Sequence, residues 1–431
     1  MRKGWEIKEL GEILIIERGG SPRPIQKYLT DDPNGFNWIK ISDATSSKKY
    51  NFETQEKIKP TRLHKTRQLF DGDFILSNSM SFGRPYIMKT TGCIHDGWLL
   101  LRDKEKGRLD KNYLYYILSS PLVFEQFDRL AAGSTVRNLN IGLVSCVKIP
   151  VPPISEQKQI VSILDKAFAA IDKAKENLQR NLENAKDYFQ NILDSIFDKR
   201  PNNWSEKKLS QVFLIKPQKK EAREMLDEND LVSFLPMEDL GIDIKEISPL
   251  KKKPLKEVIS GYTYFANDDV LLAKITPCFE NGKLGVAKIL KNNIGFGSSE
   301  YIVFRPTGNI ISDLLFFFLN RDSFRKKGEK QMGGAVGHKR VAKDFIENYI
   351  ISFPEIEEQK AIVRKLDLLS IKIKMLEENY GKKNKFLNDL KKSTLQKAFS
   401  GQLSESGFAG LEDEHDRSKI KDRKENMNPA G

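Results

Sequence analysis

The stretch PPISEQKQIVSILDKAF at 152–168 returns as PEIEEQKAIVRKLDLLS at 354–370, with nine of seventeen positions identical. A chain that carries one pattern twice is built from two copies of one unit, so a fold that explains one copy must also serve the other. The correspondence continues through the rest of the chain in the same order. WEIKELGEI from Trp5 answers WSEKKLSQV from Trp204, and WIKISD (38–43) answers FLPMED (234–239). DFILS (73–77) pairs with DVLLA (269–273), GRPYIMK (83–89) with GKLGVAK (282–288), LLLR (99–102) with IVFR (302–305), and GSTV (133–136) with GGAV (333–336).

Each copy opens with a globular part of about 150 residues. Short β-like runs (FILS, YIM, LLLR, YIVFR) alternate there with Gly, Pro, Asn and Ser turns, and each copy has one apolar helical stretch, 113–127 and 313–324. This mixture predicts an α+β domain rather than regular βαβ winding. A chain of 431 residues exceeds the size at which single cores stop growing, so two domains are expected.

A different pattern follows each globular part. Ile160, Leu164, Ala167, Ile171, Ala174, Leu178, Leu182, Ala185, Phe189, Ile192 and Ile196 fall at spacings of four and three, with polar residues between them. Ile362, Leu366, Leu369, Ile373, Leu376, Tyr380, Lys383, Leu387, Leu390 and Thr394 keep the same rhythm. An apolar seam every 3.5 residues predicts two long coiled-coil helices of about 65 Å each at 1.5 Å per residue. Ser155 is the expected N-cap of the first, Glu357 a weaker start for the second, and Pro201 and Gly401 suit the far ends. Neither helix can bury its stripe alone. Packing on each other in antiparallel fashion is the expected solution, and folding back onto the globular parts is the alternative. Lys383 and Thr394 interrupt the second seam, and Gly381 weakens that helix by about 1 kcal/mol relative to Ala, so a kinked or partner-dependent middle is expected there. The resulting segments are 1–152, 153–200, 201–354 and 355–402, with a charged, core-poor tail over 403–431 that reads as disordered.

No apolar run approaches a membrane span, and MRKGWEIKELGEI carries charges where a signal peptide would be apolar, so a cytoplasmic location is expected. Cys93, Cys146 and Cys278 lie far apart and read as free thiols. The four histidines show no metal-ligand spacing, and no metal site is expected. The net charge of +13 favours polyanionic partners.

A search for catalytic patterns returns no GxxxxGK[ST] loop, no GxSxG elbow and no HExxH. GFGSS (295–299) lacks a strand–loop–helix context, and EIK (6–8) has no acidic partner for a nuclease site. The chain reads as a binder rather than a catalyst. Its candidate DNA contacts lie in paired loops. SNSMSFGRP (77–85) offers Ser77, Asn78, Ser79, Ser81 and Arg84; KITPCFENGK (274–283) offers Lys274, Thr276, Asn281 and Lys283. Small polar and basic side chains around a Gly can reach base edges while the backbone approaches closely. Arg23 in RGGSPRP, Arg137 in GSTVRNLN and Lys339 in the second copy add cations for phosphates.

With the repeat laid out, the chain resembles the DNA sequence-specificity subunit of Type I restriction-modification systems, on the helix-start motif at 152–158 and 354–360 and the ending LKKSTLQKAFSGQL (390–403). The resemblance covers residues 1–402 and implies two tandem target-recognition domains, each reading half of a split DNA target. They would be separated by two antiparallel helices that set the gap and help dock two modification subunits. It also implies that this chain binds no cofactor: S-adenosylmethionine, ATP and Mg²⁺ belong to the modification and restriction subunits. Two other readings of the residues stand beside it, a self-contained nuclease with an unrecognised metal site and a coiled-coil scaffold.

Overall fold

The computed structural model describes residues 2–45, 49–51, 54–78, 82–105, 107–132, 138–199, 201–335 and 337–403. The tail beyond 403, expected to be disordered, lies outside the described residues. The chain forms two compact units: the first runs up to Asn177 and resumes at Lys382, and the second is Leu178–Gly381. Both boundaries fall inside long helices, Ile154–Asp198 and Ile356–Phe399. Packing therefore divides the chain differently from the sequence segments, because each helix end is built into a globular core.

In the first unit Glu6–Glu9 pairs antiparallel with Lys148–Val151, which brings the two ends of the globular part together where the long helix departs. A five-stranded sheet has the order Leu14–Arg18, Trp98–Asp103, Phe74–Ser77, Pro85–Met88, Tyr50–Asn51. A second has the order Leu29–Thr30, Glu56–Ile58, Phe36–Ile39, Gly92–Ile94, Arg67–Leu69. The unbroken apolar runs FILS and LLL follow from this layering. Phe74, Leu76, Leu99 and Leu101 face a core shared with Tyr113, Leu114 and Ile117 of the helix Lys111–Leu118. Ile75, Leu100, Tyr86 and Trp98 face the second sheet through Ile39, Leu69 and Ile94. A strand covered on both faces loses the apolar–polar alternation.

The second unit repeats the plan. Its larger sheet has the order Phe213–Ile215, Tyr301–Pro306, Val270–Ala273, Leu284–Ala287, Glu246–Ile247, and its smaller one Lys252–Pro254, Leu231–Leu235, Ile294–Gly297, Thr263–Ala266. In the larger sheet the strands paired by sequence repeat occupy the same places in the order, and the smaller sheet keeps the order of its counterpart without a strand equivalent to Leu29–Thr30. One ion pair is repeated as well: Arg102 grips Asp73 through Nε (2.9 Å) and a terminal nitrogen (2.5 Å), and Arg305 grips Asp269 through both (2.8 Å). Each Asp also accepts a backbone N–H, from Phe70 and Ala266 respectively.

The long helices carry the predicted stripe with a difference. In the first unit Ile160, Leu164, Ala167 and Ile171 enter the core beside Leu395, Ala398 and Phe399 of the second helix. Lys175 Nζ donates to Asn388 Oδ1 (2.5 Å), while Lys391 Nζ lies 4.5 Å from the Phe168 ring, so the two helices run antiparallel. In the second unit Phe189, Leu193 and Phe197 are buried, with Val363 and Leu366 opposite; Ile192 and Ile196 are only half-buried. Steps of four drift from a 3.5-residue seam and turn the face toward the globular core. The helices thus pack on each other and on the domains, combining the two expected alternatives. Leu164 is fully buried in this contact, and truncating such a Leu to Ala costs about 2–5 kcal/mol.

The motif that opens each helix owes its repetition to a buried glutamine. Gln157 Oε1 accepts from the Asp110 N–H (2.8 Å), and its Nε2 donates to the carbonyls of Arg108 (3.0 Å) and Pro152 (2.8 Å). Gln359 does the same with Ile311 N–H (3.0 Å) and the carbonyls of Asn309 (2.8 Å) and Pro354 (2.8 Å). Ser155 is not the cap expected: the first helix begins at Ile154, and the Pro153 carbonyl already accepts from Glu156 and Gln157, which places Ser155 inside the first turn. At the far end Gly401 has φ +77° and Gln402 N–H returns to the Lys397 carbonyl (3.0 Å), the left-handed termination expected of Gly. The second helix runs unbroken through Gly381, and Thr394 satisfies its hydroxyl on the Leu390 carbonyl (2.8 Å).

Candidate nucleic-acid interface

In the first unit, Ser77 and Trp98 are paired at one end of the sheet that holds Phe74–Ser77 and Trp98–Asp103, and the loops that leave this end are tied to Asp96. The Ser21 hydroxyl donates to Asp96 Oδ1 (2.9 Å), Arg23 reaches Oδ2 (3.4 Å), and Arg18 and the Asn78 amide donate to the Asp96 carbonyl (3.2 and 2.8 Å). Leu139 N–H then donates to the Asn78 carbonyl (2.9 Å), which joins the start of the 77–85 loop to the end of the 133–140 loop. Burial alone would raise the Asp96 carboxyl, but the Ser21 hydroxyl, its own backbone N–H, His95 and Arg23 outweigh it and the net direction is down. The carboxylate stays charged as the hub of the loops.

This frame separates the proposed DNA contacts by role. Ser77 and Asn78 are buried: the Ser77 hydroxyl accepts from Arg84 N–H (3.1 Å), and Asn78 is spent on Asp96 and Gly97. Both hold the loop rather than project from it. Arg84 is exposed, and its guanidinium has no partner among the described residues. Arg23 keeps 82 % of its side chain exposed despite Asp96. Ser79, Ser81 and Arg137 lie outside the described residues. Gly83, before Arg84, has φ +77°, and Gly282, before Lys283, has φ +76°; the repeated Gly answers a backbone requirement of the turn.

The second unit uses Glu300, in the corresponding turn but one residue further along it, directly before Tyr301–Pro306. Arg340 grips it with two bonds (2.9 and 2.7 Å) and the Lys274 ammonium lies 3.9 Å away. The Arg340 bond, followed by the Lys274 charge, holds the Glu300 carboxyl below its ordinary value. Thr276 N–H donates to the Lys339 carbonyl (3.0 Å), so the 274–283 and 333–340 loops also lie together. Lys274 donates to the Ser299 carbonyl (3.0 Å), Thr276 to Glu280 (2.8 Å), and Lys283 to the Met237 carbonyl (2.7 Å); these three are committed within the chain. Asn281 and Lys339 are exposed, and their side chains have no partner among the described residues. The hubs Asp96 and Glu300, and Arg340, were not singled out from sequence: an acidic residue in a turn looks like a solvated one until its partners are known. Among the described residues no group of three metal-ligating side chains comes together, and no helix is long and apolar enough to cross a membrane.

Fold and site together define a tandem-repeat protein whose two α+β units present equivalent loop clusters and share a pair of long helices. The chain belongs to the Type I restriction modification DNA specificity domain family, whose sequence model matches residues 2–184 and again 201–385. It is 27 % identical over 416 residues to the putative type I restriction enzyme MjaX specificity subunit of Methanocaldococcus jannaschii, covering 89 % of this chain and 92 % of that one. It is 38 % identical over 173 residues to the EcoAI specificity subunit of Escherichia coli; that stretch is 40 % of this chain but only 29 % of the relative's length. The HsdS subunit of Thermoanaerobacter tengcongensis shares the fold at 19 % identity, with a TM-score of 0.57 over 94 % of this chain and 98 % of that one.

Proposed function

We propose that this chain is the DNA-reading subunit of a Type I restriction-modification complex, in which each unit reads one half of a split target in double-stranded DNA. The observation that carries this reading is the repeated loop end: in each unit an acid-pinned frame leaves exposed, unpartnered donors, Arg84 in the first and Asn281 and Lys339 in the second. Side chains held this way match groups that lose water to base edges or phosphates without first breaking a protein contact. The net charge of +13 supports a polyanionic partner.

Two modification subunits are the proposed protein partners, with restriction subunits joining them. A stripe on the second long helix supports a docking role: Leu368, Ile371 and Met375 are 61, 54 and 59 % exposed at spacings of three and four. Large apolar side chains left in water along one helix face mark an interaction surface. S-adenosylmethionine, ATP and Mg²⁺ are assigned to those partners. The test is methyl transfer from radiolabelled S-adenosylmethionine to DNA, expected to be absent with this chain alone and to appear when a modification subunit is added. Transfer by the chain alone would overturn the proposal.

A further inference from the structure

Beside Asp96, the first unit has a cleft of about 790 Å³. Its lining comes from the Ser21–Gln26 segment, from Trp38 and Lys40–Ser42, and from His95. The volume lies within the range of small-ligand sites. Pro22, Pro24, Ile25, Trp38 and Ile41 give it a largely apolar wall.

Its polar groups are mostly neutralised. Lys40 is paired with Glu56 (2.5 Å) and Arg23 is drawn to Asp96 (3.4 Å), so each cation at the cleft has a carboxylate beside it. A phosphate needs uncompensated cations and would meet both acids. His95 is different. Its Nδ1 accepts from Gly97 N–H (2.9 Å), which fixes the neutral tautomer with the proton on Nε2. Burial holds the imidazole below its ordinary pKa; Asp96 and Asp43 act against that and Lys40 with it. Nε2–H has no hydrogen-bond partner among the described residues. The site therefore combines a largely apolar wall that includes the Trp38 ring with a neutral donor fixed in one tautomer, which are the properties that suit a heterocyclic base.

We propose that this cleft receives one unstacked nucleobase of the bound DNA, with His95 Nε2–H donating to an acceptor on the base edge. The inference rests on the DNA-reading function proposed above. A base inside a duplex exposes only its groove edges, so a base that enters a cleft has left the stack. The second unit has Ser298 where the first has His95, each directly after the strand residue paired to Leu235 or Ile39, and Ser298 Oγ is occupied by Glu300 N–H (3.2 Å). The effect belongs to one half-site.

The test uses the full chain without modification subunits, so that extrusion by a methyltransferase does not contribute, on the target selected from random duplexes. Each position of both half-sites is replaced in turn by 2-aminopurine, and separately mispaired by changing only the opposite strand. At one position in the half-site read by residues 1–152, fluorescence should rise several-fold on binding and the mispair should tighten binding several-fold, because an unpaired base is easier to extrude. His95→Ala should abolish both, and His95→Gln, which keeps an amide donor, should restore part. Specific binding with no such position, or with both effects intact in His95→Ala, would overturn the inference while leaving DNA reading in place. No sequence-specific binding would overturn both. The wild-type scan depends on no variant and decides the matter if His95→Ala does not fold.

Discussion

Gln157 and Gln359 make the same three hydrogen bonds in two different units, each joining the first turn of a long helix to the segment that precedes an apolar helix of its own domain. Both side chains are fully buried. The helix that leaves each domain is thereby fixed to it by a carboxamide using its oxygen and both its N–H groups. Truncation leaves a backbone N–H and two carbonyls without partners inside the protein, at about 1–3 kcal/mol for a group so stranded. Gln157→Ala and Gln359→Ala should each lower stability by about 2–4 kcal/mol in urea titration. Gln179→Ala, whose amide meets only Glu183 on the helix surface, should change it by less than about 0.5 kcal/mol. Equal effects at all three sites would remove the structural role.

The repeated Arg–Asp pairs differ in depth. Asp269 is fully buried, whereas Asp73 keeps 13 % of its side chain exposed. Removing one partner of a buried pair leaves the other charge uncompensated, at about 3–5 kcal/mol. Arg305 keeps Glu221 as a second carboxylate, so Asp269→Ala should destabilise the second unit by less than that full amount, and Asp73→Ala, at the more exposed pair whose Arg102 stays near Glu17 (3.8 Å), should cost the first unit less still. The order of the two thermal midpoints checks it; the reverse order would contradict the assignment.

At the loop ends the exposed side chains fall into two expected kinds. Arg84 follows a turn glycine and is free to reach a base edge, so Arg84→Ala should relax discrimination at one position by about 1–3 kcal/mol. Lys339, in a loop of small residues, suits a phosphate; Lys339→Ala should weaken binding to all sequences alike and lower the salt slope by about one. Competition binding with single-base variants at several salt concentrations separates the two. Lys283, the repeat counterpart of Arg84, holds the Met237 carbonyl, so Lys283→Ala is expected to loosen the turn before it alters any base preference.

Much of the fold was legible because periodicity and repetition are local properties of a sequence. The spacing of Ile160, Leu164, Ala167 and Ile171 states a buried helix face, and the paired runs DFILS and DVLLA state equivalent strands. The function of the Gln157 motif was not legible: its partners at 108–110 lie nearly fifty residues earlier, and nothing in their types announces the contact. The site was legible only as loops. Ser77 and Asn78 have the composition of DNA-reading residues, but Ser77 ends its strand inside the core, Asn78 follows it directly, and the hydrogen bonds of both are already used. Residue type reports what a side chain can donate or accept; the fold decides whether that capacity is still available. For the same reason His95, flanked by a turn, could not be distinguished from a histidine of the core.

If each unit reads its own half of the target, exchanging the recognition segment of one unit changes that half alone. Residues 1–152 are replaced by the matching segment of a relative with a different target, and the sequences bound by the original and exchanged chains are selected from random duplex DNA. One half-site should change and the other should remain the same. A change in both half-sites, or a single continuous target with no second half, would contradict it.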